Sequence, residues 1–130
     1  MSAENKRHSF CPICATPLTK QVINGENRKA CTKESCDYVE WNNPTPVLAA
    51  IVQAGDSVVL VRAMGWPEDW FGLVTGFHES GETAEDGVVR EVKEELGLDC
   101  QVESLVGVYS FFQMNQVIIA YHVLLDKGDI

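Results

Sequence analysis

Long apolar runs are missing from this sequence. The longest, Val47 to Val52 and Val117 to Tyr121, fall far short of the ~20 residues a helix needs to cross a bilayer, which excludes a helical membrane span. Met1 to Phe10 lacks the apolar stretch of a secretory signal, so the expected location is the cytoplasm, a reducing compartment. Internal repeats and low-complexity tracts are missing too, which argues against a repeat architecture. Basic residues are scarce in the larger part of the chain: residues 44 to 130 hold four Lys/Arg against fourteen Asp/Glu, whereas residues 1 to 43 hold six against five. The net charge of −9 therefore belongs to the second part. An acidic body repels phosphate backbones at long range and argues against bulk nucleic-acid binding.

What is present suits one modest globular domain with a small appendage: 130 residues, 45% hydrophobic and 22% charged. Asn42-Asn43-Pro44-Thr45-Pro46 reads as a linker or turn, placing a boundary between residues 1–43 and 44–130. Beyond it, Val47 to Gln53 and Ser57 to Arg62, separated by Ala54-Gly55-Asp56, read as a β-hairpin. Ala63 to Trp70 reads as a loop and Phe71 to Phe77 as a short strand, followed by a loop at His78 to Glu82. Thr83 is placed to cap a helix over about residues 84 to 96, with Asp86 as an approximate capping-box partner and Gly97 as its stop. Gly87 inside that helix costs ~1 kcal/mol, which suggests close approach of another backbone or a ligand. Gln101 to Phe112 and Gln116 to Leu125 read as strands joined by a turn at Met114-Asn115. The pattern is α+β, mostly strand with one well-signalled helix.

That helix lies in a run, residues 79 to 99, with eight Asp/Glu and only Arg90 and Lys93 as cations. At ~100° per residue, Glu91, Glu94 and Glu95 fill an arc of about 100° that borders the stripe formed by Val88, Val89, Val92 and Leu96. Like charges three and four residues apart destabilise a helix, and desolvation beside a packed face makes this worse. A divalent cation reverses that sign. The plainer reading is a solvated acidic surface.

The spacing favours the cation. Gly76, five residues, Glu82, seven residues, then Arg90-Glu91-Val92-Lys93-Glu94-Glu95-Leu96-Gly97-Leu98 matches G-x5-E-x7-R-E-U-x-E-E-x-G-U, with U a bulky aliphatic. This is the Nudix box, and the chain resembles a Nudix hydrolase there. The resemblance implies an α/β/α sandwich with a mixed sheet, and hydrolysis of nucleoside diphosphates linked to another moiety with Mg²⁺ or Mn²⁺. Carried over by motif position, Glu94 and Glu95 are metal ligands, and Glu91 is a third ligand or the base that deprotonates the attacking water. Arg90 orients Glu91, Glu82 supports the metal cluster through water, and the Gly76 carbonyl is a further ligand. Hard cations prefer such oxygen donors. Domains of this family normally continue into another strand and a helix, so residues 44–130 are expected to be truncated at the C-terminal end. An uncovered apolar face would then favour a homodimer.

Before residue 44, Cys11-x2-Cys14 and Cys31-x4-Cys36 make two pairs separated by sixteen residues. A segment this short cannot bury enough apolar surface alone, and Zn²⁺ held by four thiolates, in the manner of a zinc ribbon, is the expected staple. Disulfides and free thiols are the other readings, and His8 is an alternative ligand. Cys100 reads as a small buried hydrophobe. A ribbon before a Nudix domain resembles the NADH pyrophosphatase branch. The signature S-Q-P-W-P-F-P-x-S of that branch is absent, and Tyr109 to Gln116 reads YSFFQMNQ. Val106 to Leu125 is more similar to zinc-ribbon Nudix proteins linked to ADP-ribose and flavin dinucleotide hydrolysis.

The expected substrate is thus a dinucleotide or nucleotide-sugar pyrophosphate of the FAD, ADP-ribose or NADH class. Trp66 and Phe112 are candidates to stack on its rings, with core or edge packing the commoner role for such side chains, and Arg62 and His78 are candidates to meet its phosphates, with solvation as the alternative. Two readings compete with the hydrolase: a module that senses ADP-ribose or NAD(H) without cleaving it, and a zinc-ribbon nucleic-acid adaptor. The intact Glu82, Arg90, Glu91, Glu94 and Glu95 favour the enzyme.

Overall fold

A computed structural model describes residues 8–126. The expected truncation concerns the chain end at Lys127 to Ile130, which lies outside the described residues, as do Met1 to Arg7 of the first segment. The chain divides into two compact units, Met1–Asn43 and Pro44–Ile130.

In the first unit, β1 (Leu18–Ile23) and β2 (Glu26–Cys31) form an antiparallel hairpin, and β3 (Val39–Glu40) pairs with the other edge of β2. The hairpin turns at Asn24-Gly25, both at positive φ (53° and 83°), the conformation that two-residue hairpin loops require and that this dipeptide tolerates. Little apolar surface is hidden: the buried hydrophobic residues described here are Cys11, Ala30 and Cys31.

In the second unit, β4 (Thr45–Ala54) is central. On one edge it pairs in parallel with β8 (Gln116–Leu125), which in turn pairs antiparallel with β7 (Cys100–Phe111). On its other edge it takes β5 (Ser57–Val59) at Val52 to Ala54 and β6 (Val74–Phe77) at Val47 to Ala50. This sharing corrects two expected strands. The hairpin strand stops at Val59 instead of Arg62; from Ala50 to Val47 the same edge of β4 is bonded to β6. The strand expected from Phe71 starts only at Val74, and residues 60–73 leave the sheet, tied at their base by a Val61↔Gly72 bridge. A short 3₁₀ turn, Phe112–Met114, with Asn115 at φ 51°, joins β7 to β8.

The helix α1 (Ala84–Leu96) has the limits its sequence signals set. The Thr83 hydroxyl accepts from the Asp86 N–H at 3.1 Å, and Gly97, at φ 71°, donates its N–H to the Lys93 carbonyl. Val88 and Val92 are fully buried against Leu48, Ala50, Val52, Val74, Tyr121 and Val123, each such side chain contributing ~1.5–3 kcal/mol. Among the described residues α1 is the one α-helix, so they supply one of the two helical layers of the expected sandwich. No described helix is long and apolar enough to cross a membrane.

Side chains, not another backbone, crowd Gly87. A Cβ at this position would run into Leu48 Cδ1 and Glu82 Oε2. Alanine normally stabilises a helix interior by ~1 kcal/mol over glycine. Here Leu48 is fully buried and Glu82 is anchored, so Gly87→Ala is expected to lower stability by ~1–3 kcal/mol instead. Urea unfolding monitored by circular dichroism measures the sign.

Candidate functional site

Residues 76–82 leave β6, turn at Gly81 and enter α1, so the loop lies against the helix face that carries its glutamates. Gly76 fixes the closeness: the space a Cβ would fill is taken by the Glu91 carboxylate. Glu91 is 9% exposed, while Glu94 and Glu95 are exposed. The acidic stripe does border the buried one, with Glu91 as its inner member.

Arg90 gathers this region. Its Nε and Nη2 donate in a fork to Glu82 Oε1 and Oε2, both at 2.8 Å, and Nη1 donates to Glu91 Oε2 at 2.9 Å and Glu94 Oε1 at 3.1 Å. Nη2 also donates to the Phe77 carbonyl at 3.2 Å, and Glu79 Oε2 lies 3.5 Å from Nη1. Planar two-point pairing of this kind is the geometry guanidinium makes with carboxylate. The hydrogen bonds to Glu82 push the already high arginine pKa further up against the opposing effect of burial.

Glu82 is expected from the resemblance to act on a metal through water; in this structure both its oxygens are engaged within the protein. Oε2 also accepts the Glu79 N–H at 3.0 Å, and the backbone Glu82 carbonyl accepts from His78 Nε2 at 3.0 Å. Arg90 first, then the Glu79 N–H, hold the Glu82 carboxyl down to about 2 from its ordinary 4.5. A depressed carboxyl pKa adds stability that is complete above 4.5 and is lost as pH falls through about 2. The loop is therefore expected to stay docked at pH 3.5. Carbon-detected NMR titration should place the Glu82 midpoint near 2, and Glu82→Gln should remove this acid-dependent share of stability.

Glu79 and the Phe77 carbonyl were not singled out by sequence reasoning. Glu79 was visible only as a member of the acidic run, and a backbone carbonyl leaves no sequence signal. Of the candidate substrate residues, Arg62 and Trp66 meet within the 60–73 excursion, where Arg62 Nη2 donates to the Trp66 carbonyl at 3.0 Å and the Trp66 ring covers Gly72. His78 is half-buried and bonded inside the acidic loop. Phe112 stands 86% exposed on the β7–β8 turn.

In the first unit, the sulfurs of Cys11, Cys14, Cys31 and Cys36 all lie within 4.8 Å of one another. Cys11 to Cys36 is 3.8 Å and Cys14 to Cys31 is 3.5 Å. Tetrahedral Zn²⁺ with bonds of ~2.3 Å separates its sulfurs by about 3.8 Å, so this soft donor set fits zinc in kind and in spacing. The Ile13 and Lys33 N–H groups donate to the Cys11 and Cys31 sulfurs. Hydrogen bonds from the Thr16 side chain and backbone hold Cys14 down to about 6. The backbone N–H of Tyr38 favours the Cys36 thiolate, yet partial burial and the bonds with the other three cysteines push that thiol up to about 12. Four adjacent thiols resist ionising together without a cation. His8, the alternative ligand, instead faces Glu40 Oε1 at 3.7 Å. Cys100 is buried, which raises its pKa.

A glycine loop clamped to a glutamate-bearing helix on a mixed sheet defines a class, and the NUDIX domain family matches residues 43–129; the chain belongs to this family. The NAD-capped RNA hydrolase NudC of Pseudomonas putida (strain GB-1) is 30% identical over 125 residues, 96% of this chain and 44% of that protein. The chain thus spans less than half the length of the curated relatives it matches. The Nudix hydrolase of Nitrosomonas europaea superposes with a TM-score of 0.79 at 25% identity, covering 92% of this chain and 68% of that one. An ADP-ribose pyrophosphatase from Streptococcus suis 89-1591 shares the fold, with a TM-score of 0.56 at 24% identity over 64% of this chain and 61% of that one.

Proposed function

We propose that the chain hydrolyses the pyrophosphate linkage of a nucleoside diphosphate linked to another moiety, of the FAD, ADP-ribose or NADH class, releasing a nucleoside monophosphate, with Mg²⁺ or Mn²⁺ as catalytic ion. The observation that carries this reading is the docking of the Gly76 loop on α1, with Arg90 bonded at once to Glu82, Glu91 and Glu94. Glu94, Glu95 and the Gly76 carbonyl would hold the ion, an all-oxygen set suited to a hard cation. An ion held there would supply charge neutralisation for the pyrophosphate and a lowered pKa for an attacking water. Glu91, buried beside Gly76, would take that water's proton or act as a third ligand. Arg90 holds Glu91 in position, and Glu82 holds Arg90.

Among the substrates, the resemblance to the NAD-capped RNA hydrolase favours an NAD end, free or on RNA. The acidic body argues against binding a long phosphate backbone, yet does not forbid recognition of a short capped terminus. In the first unit we propose structural Zn²⁺ on Cys11, Cys14, Cys31 and Cys36, with no position left open for catalysis. The test is a screen of NADH, ADP-ribose, FAD and NAD-capped RNA with Mg²⁺ and with Mn²⁺, products being identified by mass. The expected outcome is AMP with the second product that names the substrate (reduced nicotinamide mononucleotide from NADH, ribose 5-phosphate from ADP-ribose or FMN from FAD), or 5′-monophosphate RNA with nicotinamide mononucleotide from the capped RNA. Binding without cleavage under every condition would refute the hydrolase and leave the sensing module.

A further inference from the structure

The four cysteines are not equivalent. Cys11 and Cys31 are 3% and 8% exposed, whereas Cys14 and Cys36 are half-buried and line a cavity of about 380 Å³ with Ile13, Lys33, Ser35 and Tyr38. A small polar oxidant entering this cavity reaches Cys14 and Cys36, which line it, and not Cys11 or Cys31, which do not. Within a cluster whose four sulfurs all lie within 4.8 Å of one another, Cys31 is 3.5 Å from Cys14 and Cys11 is 3.8 Å from Cys36. Both close pairs run between the two cysteine knuckles, not within either one.

We infer that the cluster is a site of reversible oxidation by hydroperoxides, in which the two cavity-facing cysteines react and the two buried ones resolve them, giving Cys14–Cys31 and Cys11–Cys36 disulfides. At each pair the accessible sulfur, as the thiolate that zinc binding would keep deprotonated, attacks one oxygen of hydrogen peroxide, forming a sulfenic acid and releasing hydroxide. The buried thiolate then attacks that sulfur, the S–S bond forms, and the second oxygen leaves as water once protonated. Two peroxides and four protons are consumed, four waters form, and one Zn²⁺ departs uncombined. Both sulfurs of each pair are oxidised and the peroxide is reduced.

The connectivity decides what oxidation does to the fold. Disulfides within Cys11-x2-Cys14 and Cys31-x4-Cys36 would close only very short loops and leave the knuckles free of one another. The crossed pairs tie the Cys11–Cys14 knuckle to the end of β2 and the segment before β3, the job proposed for the metal. The ribbon therefore keeps its hairpin after zinc is lost, and reduction of both disulfides by a dithiol, itself oxidised to its disulfide, in the presence of Zn²⁺ restores the original state.

This inference rests on the zinc reading, and the experiment separates the two. Zinc content is measured first, the protein is then treated with hydrogen peroxide while a chromogenic chelator reports released zinc, and the disulfides are mapped by peptide mass spectrometry. Four cysteines allow three pairings. The expected result is zinc release in step with the Cys14–Cys31 and Cys11–Cys36 pairing, with Cys100 still reduced and the β1–β2 amide signals retained. Either other pairing, sulfinic acids in place of disulfides, or collapse of the β1–β2 signals in the doubly bridged form overturns it. A chain without zinc at the outset refutes the zinc reading alone, and the pairing still decides this one.

Discussion

Exchanging Glu94 or Glu95 for glutamine is expected to lower Mg²⁺-dependent pyrophosphate cleavage by ~10²- to 10⁴-fold while leaving the melting temperature nearly unchanged. Both side chains are exposed, and neither reaches into the core formed by Val88 and Val92. Glutamine keeps the length and shape of the side chain and removes only the charge, so a loss of turnover without a loss of stability isolates the proposed metal ligands from structural roles. Glu91→Gln serves as the contrast. Its carboxylate fills the space beside Gly76 and accepts from Arg90 at 2.9 Å, so stability and turnover should fall together. Initial rates over a Mg²⁺ series, paired with thermal melts of each variant, check all three. Near-normal rates in both the Glu94 and Glu95 variants would refute the ligand assignment.

The second large effect concerns the first unit. Stripping zinc with a strong chelator under reducing conditions is expected to abolish the β1–β2–β3 sheet. Two of the three buried hydrophobic residues described there are themselves cysteines, leaving Ala30 as the remaining apolar contribution. Structural zinc in comparable peptides contributes roughly 10–16 kcal/mol near neutral pH, far more than one buried alanine can offset. Hydrogen exchange of the Leu18 to Cys31 amides should accelerate towards the unfolded rate after chelation and recover on adding Zn²⁺. Unchanged protection would show that the hairpin stands without metal.

The helix was legible because its signals are local. Thr83, Asp86 and Gly97 act on backbone groups within one turn of themselves, so composition and order alone set Ala84–Leu96. The heptad-scale spacing of Val88, Val92 and Leu96 likewise determined which face is buried and that Glu91 would border it. The strand pair expected at 101–112 and 116–125 was legible to within a residue for the same reason, since the turn between them is short; Phe112 belongs to that turn. The motif from Gly76 to Leu98 and the four-cysteine pattern pointed to the family and to a metal staple.

Other features were decided by partners distant in sequence. Nothing local in Ser57 to Arg62 says that the strand stops at Val59, or that β6 takes the same edge of β4 from Ala50 to Val47. The parallel pairing of β4 with β8 joins Thr45 to Gln116, and no turn signal encodes it. Gly87 announced crowding, but only packing revealed Leu48 and Glu82 as the cause. The sequence by itself determined the helix, its faces and the residue types of both candidate metal centres, because propensity, capping and spacing are short-range properties. The tertiary structure alone decided which carboxylates Arg90 clamps, how closely Gly76 admits Glu91 and which cysteines face the cavity, because hydrogen bonding and close packing depend on distances that only the folded chain sets.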